Sequence, residues 1–111
     1  MHYLPRTNRR VLEVSSDSQC DVFWAGDECQ GNISFIYDAK DLTNGNRPIT
    51  HVVVFLNNVR LLDSGPISKV RHIEKHSFMG VCGEKYDFTV IVTNSVGQLV
   101  TSRTTVTCPE W

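Results

Sequence analysis

Apolar residues recur along this chain in short runs with a period of two, and turn-forming residues separate the runs. Over 32–38, Ile33, Phe35 and Tyr37 point to one side of an extended chain, while the residues between them point to the other. The run over 86–93 alternates in the same way. No long stretch shows the 3.6-residue period of an amphipathic helix. The pattern predicts an all-β domain whose strands each bury one face.

Turn signals divide the chain into seven predicted strands. The clearest signals lie at 43–46 (Thr-Asn-Gly-Asn), 57–58 (Asn-Asn) and 94–97 (Asn-Ser-Val-Gly), which combine residues that favour tight turns. The last turn joins two alternating runs and predicts a β-hairpin. This rhythm of short strands favours a β-sandwich or barrel. The predicted strands are 11–16, 32–38, 51–57, 59–62, 70–78, 86–93 and 99–107.

Length and composition narrow the class of protein. The chain has 111 residues, 41% hydrophobic and 21% charged, which suits one globular domain with a modest core. Its net charge of -1 gives no overall attraction to nucleic acid. No apolar run reaches the roughly 18 residues of a membrane span. We expect a flexible N-terminal arm over 1–10, a domain over 11–108 and a C-terminal tail over 109–111.

Four cysteines indicate the kind of compartment in which the protein resides. Cys20, Cys29, Cys82 and Cys108 form an even set without a C-x-x-C pair, which favours two disulfides and an oxidising compartment. Three pairings are open at this point. Asn32 begins the triplet Asn-Ile-Ser, an acceptor for N-glycosylation that fits the same secretory route. Together these features predict an extracellular protein, secreted or displayed at the cell surface.

Two stretches of the chain resemble the fibronectin type III family. Residues 44–55 (NGNRPITHVVVF) are similar to the family's B–C loop and strand C. Residues 83–90 (GEKYDFTV), with Asn94 and Gly97 after them, are similar to its E–F turn, strand F and F–G loop. The resemblance implies a seven-stranded antiparallel immunoglobulin-like sandwich in which Tyr86 forms the tyrosine corner. A PKD-like or other immunoglobulin-like sandwich is the alternative.

The family's topology also favours particular disulfide pairs among the four cysteines. It implies that the A–B region, the E–F turn and the end of strand G share one pole, which favours the pairs Cys29–Cys82 and Cys20–Cys108. The runner-up is Cys20–Cys29 with Cys82–Cys108. The chain departs from the family at two places. Tyr37 stands near the usual strand B tryptophan, and Gly80 replaces an apolar core residue of strand E, for which we expect Met79 or Val81 to substitute.

Two groups of residues have the chemistry of metal ligands. His72, Glu74 and His76 project from one face of a strand, but no fourth ligand accompanies them, and a solvated polar face is the favoured interpretation. The acidic A–B region matches no EF-hand spacing and is interpreted as a solvated loop. No catalytic signature frames the Ser, His and Asp residues. We therefore predict no metal, no cofactor and no enzymatic activity. The acidic residues of the A–B region are Asp17, Asp21, Asp27 and Glu28. The basic arm, formed by Arg6, Arg9 and Arg10, lacks the aromatic residues that accompany arginines in a nucleic-acid site.

One set of apolar residues points to a partner. If Val52, Val54 and Leu56 face the core, then Val53 and Phe55 face outward, beside Ile91 of the neighbouring strand. Such a patch is a usual mark of a protein interface. We predict a non-catalytic module that binds a protein partner or links neighbouring domains of a longer chain. The alternatives are an accessory module of an extracellular enzyme, for example a carbohydrate-active one, and a structural domain of a viral or membrane-fusion ectodomain.

Overall fold

The computed structural model describes residues 12–42 and 47–110, and in this part of the chain all regular structure is β-strand. The prediction of a seven-stranded antiparallel β-sandwich is confirmed. One sheet has the order β1-β2-β5 and the other β4-β3-β6-β7, with every neighbouring pair antiparallel. Within these residues no helix has the length and apolarity needed to cross a membrane. The strands are β1 (Leu12–Ala25), β2 (Glu28–Asp41), β3 (Ile49–Leu56), β4 (Val59–Asp63), β5 (Arg71–Val81), β6 (Lys85–Asn94) and β7 (Leu99–Thr107).

The core lies between the inner faces of the two sheets. The alternation seen in the sequence places every second residue of β2, β3 and β6 there, so that both sheets contribute large side chains. Phe35 of β2 stacks on Phe88 of β6 with ring centroids 4.4 Å apart, and Phe78 of β5 lies 6.0 Å from the same ring. Such buried aromatic pairs contribute about 0.5–1.5 kcal/mol beyond their buried area. The predicted inward orientation of Val52 and Val54 is observed, since both are buried.

Two strands are much longer than the sequence analysis predicted. The expected acidic loop between them is a regular hairpin, in which β1 and β2 pair continuously from Leu12–Asp41 to Ala25–Glu28. Gly26 turns the chain with a φ of 66°, which fits a two-residue loop with glycine in its first position. Small polar residues line the inner side of this part of β1, where an apolar pattern would have marked a strand. The alternation of inner and outer residues from position 16 to 22 therefore gave no hydrophobic strand signal in the sequence.

The expectation that Met79 or Val81 fills the core in place of Gly80 is wrong. Gly80 is itself buried on the inner face of β5, whereas Met79 and Val81 are 63% and 57% exposed. A Cβ atom at Gly80 would lie 2.5 Å from Cδ1 of Ile33, so the Ile33 side chain occupies that space. The side chain of Ile33 on β2 thus fills the space that a side chain at position 80 would take, and Gly80 keeps its place on the inner face of β5.

Several sequence features fall outside the described residues. These are the turn at 43–46, the arm at 1–10 with its three arginines, the first domain residue Val11 and the last tail residue. The predicted turn at Asn57-Asn58 is present between β3 and β4. Both residues have positive φ angles, 49° and 69°, as the two central positions of a type I′ hairpin turn require.

Candidate interaction surfaces

The two disulfides hold one pole of the sandwich together. Cys20 of β1 is joined to Cys108 after β7, and Cys29 of β2 to Cys82 after β5, which is the pairing that the resemblance favoured. The Cα atoms of the two pairs are 5.2 and 5.7 Å apart. Gly31 makes room for the first bridge, because a Cβ atom there would lie 2.6 Å from Sγ of Cys20. The first bridge links the two sheets covalently.

Tyr86 lies at the same pole, at the start of β6. Its hydroxyl accepts a hydrogen bond of 2.8 Å from the backbone N–H of Val81, across the turn between β5 and β6. This contact to backbone a few residues upstream is the one expected of a tyrosine corner. The turn is also tied to the chain after β7, since the N–H of Gly83 donates to the carbonyl of Cys108 and the N–H of Cys108 to that of Glu84.

The predicted patch lies on the outer face of the four-stranded sheet. Val53 of β3 is directly opposite Ile91 of β6, and Phe55 is opposite Thr89. All three apolar residues alternate with buried ones and point away from the core. They are half-buried rather than fully exposed. The structure therefore brings the three residues together in a small apolar patch, which we call the β3–β6 patch.

Charged side chains border the β3–β6 patch on two sides. On the β4 side, Asp63 pairs with His51 and with Arg60, at N–O distances of 2.5 and 3.4 Å. A hydrogen bond from the backbone N–H of Gly65, followed by the one from His51, lowers the pKa of the Asp63 carboxyl. Asp63 and Arg60 form a polar margin that is charged over the neutral pH range.

The β7 side of the patch has a matching ion pair. Arg103 of β7 forms a two-pronged contact with the carboxylate of Asp87, and the Thr105 hydroxyl donates to the same group at 3.1 Å. The Arg103 guanidinium is the main cause that lowers the pKa of Asp87 to about 2. An apolar centre with a polar margin is the usual anatomy of a protein interface.

His72, Glu74 and His76 share one face of β5, as their spacing predicted. That face is the inner one, where His72 is only 11% exposed, so the interpretation as a solvated polar face is wrong. The carboxylate of Glu74 is the centre of this group: it accepts a 2.7 Å hydrogen bond from the Tyr37 hydroxyl and lies 3.3 Å from Nε2 of His76. Nε2 of His72 is buried without a hydrogen-bond partner, 3.7 Å from the same carboxylate. Among the described residues no three ligand side chains are arranged to hold a metal ion, whether here or along the acidic hairpin.

A second apolar surface was missed by the sequence analysis. At the turn end of the β1–β2 hairpin the side chains of Phe23, Met79 and Val81, all on the outer side of the sheet, are between 40% and 63% exposed. Asn32 is exposed on the same side of the sheet as Met79, its direct neighbour on β5. The alternation of residues 16–22 was the one signal in the sequence that could have revealed this surface.

Comparisons with known proteins agree with the fold. No family model and no curated protein matches this chain. A similar solved structure is the crystal structure of the CARDB domain of the PF1109 protein from Pyrococcus furiosus, determined in complex with di-metal ions. The two share 10% sequence identity and a TM-score of 0.50, over 93% of this chain and 98% of that one. At this identity the similarity shows the fold alone, so the chain is an immunoglobulin-like β-sandwich similar in architecture to a CARDB domain.

Proposed function

We propose that this chain is a non-catalytic binding module of a secreted or cell-surface protein, and that it binds a protein partner through the β3–β6 patch. The observation that carries the proposal is the patch itself: Val53, Phe55 and Ile91 form an outward apolar centre between two sets of ion pairs. The sandwich interior is filled by side chains, so a partner would bind on the surface.

The finer assignment to a fibronectin type III-like module also belongs to this proposal. It is supported by the strand order of the two sheets and by the hydrogen bond between Tyr86 and the turn before it. An extracellular location is supported by the two disulfides, because such bonds persist in oxidising compartments. In this role the rigid sandwich is a scaffold, and specificity is a property of its outer surface.

The charged margin suggests what kind of partner fits. Asp63 and Asp87 are each neutralised by a cationic neighbour, so neither side of the patch carries a strong field of one sign. Such a surface suits a protein whose contact region has an apolar centre and mixed charges around it. It offers neither the basic surface that nucleic acid requires nor an array of unpaired acidic groups.

A pair of aspartate substitutions tests the function and the strand register together. Phe55→Asp places a carboxylate on the surface, opposite Arg60 of β4 and, on its other side, opposite Thr89, whose next neighbour is Arg103 of β7, so the domain should stay folded. Val54→Asp places an unpaired charge in the core and should unfold it. Circular dichroism and thermal melting measure both effects. If both variants unfold alike, Phe55 belongs to the core and the patch is not an interface.

Binding is then measured with the folded variant. Proteins that cross-link to the immobilised domain on intact cells or in culture medium should be lost with Phe55→Asp. The matched control is Ile36→Asp, which adds the same charge at a 40% exposed position on the opposite sheet and should retain them. Equal capture by both variants would contradict binding through the β3–β6 patch. A reproducible turnover of substrate by the isolated domain would contradict its non-catalytic nature.

A further inference from the structure

The outer face of the three-stranded sheet has an apolar cluster around Asn32. Phe23 of β1 is 40% exposed, and Met79 and Val81 of β5 are 63% and 57% exposed. Met79 is directly opposite Asn32, while Phe23 and Val81 lie in the next row of the sheet, one on each side of Gln30. We call these three apolar residues the hairpin patch.

The distances within a β-sheet place all three side chains near Asn32. Residues directly opposite each other have Cβ atoms about 4.5–5.5 Å apart, and diagonal neighbours about 7–8 Å. Met79 is of the first kind, and Phe23 and Val81 are of the second. A pyranose ring attached to the Asn32 amide would extend over this area, and the C–H groups of such rings pack well on aromatic and aliphatic side chains.

The position of the acceptor triplet indicates what covers this cluster. Asn32-Ile33-Ser34 is the single Asn-x-Ser/Thr triplet in the chain, and its asparagine is exposed at the margin of the hairpin patch. We propose that Asn32 carries an N-linked glycan whose first N-acetylglucosamine lies over Phe23, Met79 and Val81. The sugar removes apolar surface from water at a place where the fold otherwise leaves it exposed.

The modification is ordinary glycosyl transfer from a lipid-linked donor. The amide nitrogen of Asn32 forms a bond to the anomeric carbon of the first sugar and gives up one proton. The bond from that carbon to the donor's pyrophosphate breaks, and the pyrophosphate leaves with the electron pair. Because transfer occurs on the nascent chain, the later position of Asn32 within the regular strand β2 is no obstacle.

The inference rests on the secretory route in the proposed function, but it uses a different surface. The hairpin patch is on the outer face of one sheet and the β3–β6 patch on the outer face of the other. The glycan would leave the β3–β6 patch free. Partner binding that depends on Phe55 can therefore succeed or fail independently of the state of Asn32.

The test begins with secretion of the full chain from a eukaryotic host. A C-terminal tag with its own acceptor triplet reports whether each molecule has met the transferase. Glycopeptide mass spectrometry should find Asn32 occupied whenever the tag is occupied. Occupied tags with an unmodified Asn32 would overturn the proposal.

Melting temperatures then test whether the sugar packs on the patch. The glycan is trimmed to one N-acetylglucosamine, and the protein is compared with Ser34→Ala, which removes the triplet but keeps Asn32. We expect the sugar to raise the melting temperature by about 4 °C, a resolvable shift for a domain of this size. In a Phe23→Ser background the rise should fall by half or more.

Ile36→Ser is the matched control for that comparison. Ile36 is an exposed apolar residue on the same face, four residues along β2 from Asn32, or roughly 13 Å. The rise should be fully retained there. An equal rise in the Phe23→Ser and Ile36→Ser backgrounds would overturn the proposal. Self-association of Ser34→Ala that Phe23→Ser abolishes would also overturn it, because a second copy of the chain would then cover the patch.

Discussion

The two long edges of this sandwich differ in the side chains on their inner faces. At one edge β1 of the first sheet packs closely on β7 of the second, and the contacts are neutral and covalent. At the opposite edge of the first sheet, the inner face of β5 carries titratable side chains around Glu74. The β1–β7 contacts link the two sheets directly. The Glu74 group lies within the first sheet and makes the stability of the domain depend on pH.

The β1–β7 edge is a ladder of small groups. Ser16 and Ser102 share a 2.6 Å hydrogen bond between hydroxyls, and Ser18 and Thr104 share one of 2.9 Å. The Cys20–Cys108 disulfide follows the two hydroxyl pairs along β1. Small side chains let the two strands approach, and each of these half-buried hydroxyls has its partner, so the edge closes without a large apolar contribution.

The inner face of β5 has one carboxylate, Glu74, surrounded by hydrogen-bond donors. Burial alone would raise the pKa of Glu74, but hydrogen bonds from Tyr37 and His76, together with the charges of His72 and His76, outweigh it and hold the pKa below its usual value. Burial is also the main cause that raises the pKa of the Tyr37 phenol, so this group remains a neutral donor. The edge therefore contains an acid whose ionised form is stabilised more in the folded state than in the unfolded chain.

Loss of the Cys20–Cys108 bridge should have the largest effect on the β1–β7 edge. Its half-cystines are 88 residues apart, so the bond restricts the unfolded chain strongly. The double variant Cys20→Ala/Cys108→Ala should lose about 2–4 kcal/mol of unfolding free energy in urea titrations. Hydrogen exchange should rise in β1 and β7 but not in β5. Uniformly faster exchange in all strands would show that the bridge does not act on this edge in particular.

Gly31→Ala should produce the next largest effect. The new Cβ atom would lie 2.6 Å from Sγ of Cys20 and 2.8 Å from Sγ of Cys108, so the bridge or the strand must move. We expect a loss of about 1–3 kcal/mol, measured by urea unfolding.

The bridge-free double variant is the control for this clash. It lacks both sulfur atoms, so Gly31→Ala should cost much less in that background. A penalty of the same size with and without the bridge would mean that the backbone of β2, and not the sulfur contact, requires glycine at this position.

Local patterns in the sequence predicted the core better than the edges. Ile33, Phe35 and Phe88 follow a clean two-residue alternation, which is enough to place them between the sheets. The pairing of the cysteines needed the topology that the family resemblance supplied. The first edge was not predictable in the same way, because Ser16 and Ser102 meet across 86 residues and their side chains are equally common on exposed strands. The prediction that Met79 or Val81 replaces Gly80 in the core failed for the same reason, because the residue that fills the space, Ile33, lies on another strand.

The smallest expected effect distinguishes the two edges by pH. Tyr37→Phe removes a donor to Glu74, which water can partly replace because the Glu74 side chain is 40% exposed, so the loss at neutral pH should be roughly 1 kcal/mol. Because the pKa of Glu74 is lower in the folded than in the unfolded state, its contribution is present above the unfolded value and is lost as the pH falls through the folded value. The difference in unfolding free energy between wild type and Tyr37→Phe should therefore shrink on acidification. Ser16→Ala at the other edge removes a neutral hydroxyl pair, and its difference from wild type should stay constant over the same range. Urea unfolding from neutral pH down to pH values below the carboxyl range measures both. If the Tyr37→Phe difference is also constant, the Tyr37 hydroxyl does not stabilise the ionised form of Glu74, and the contrast between the two edges is not electrostatic.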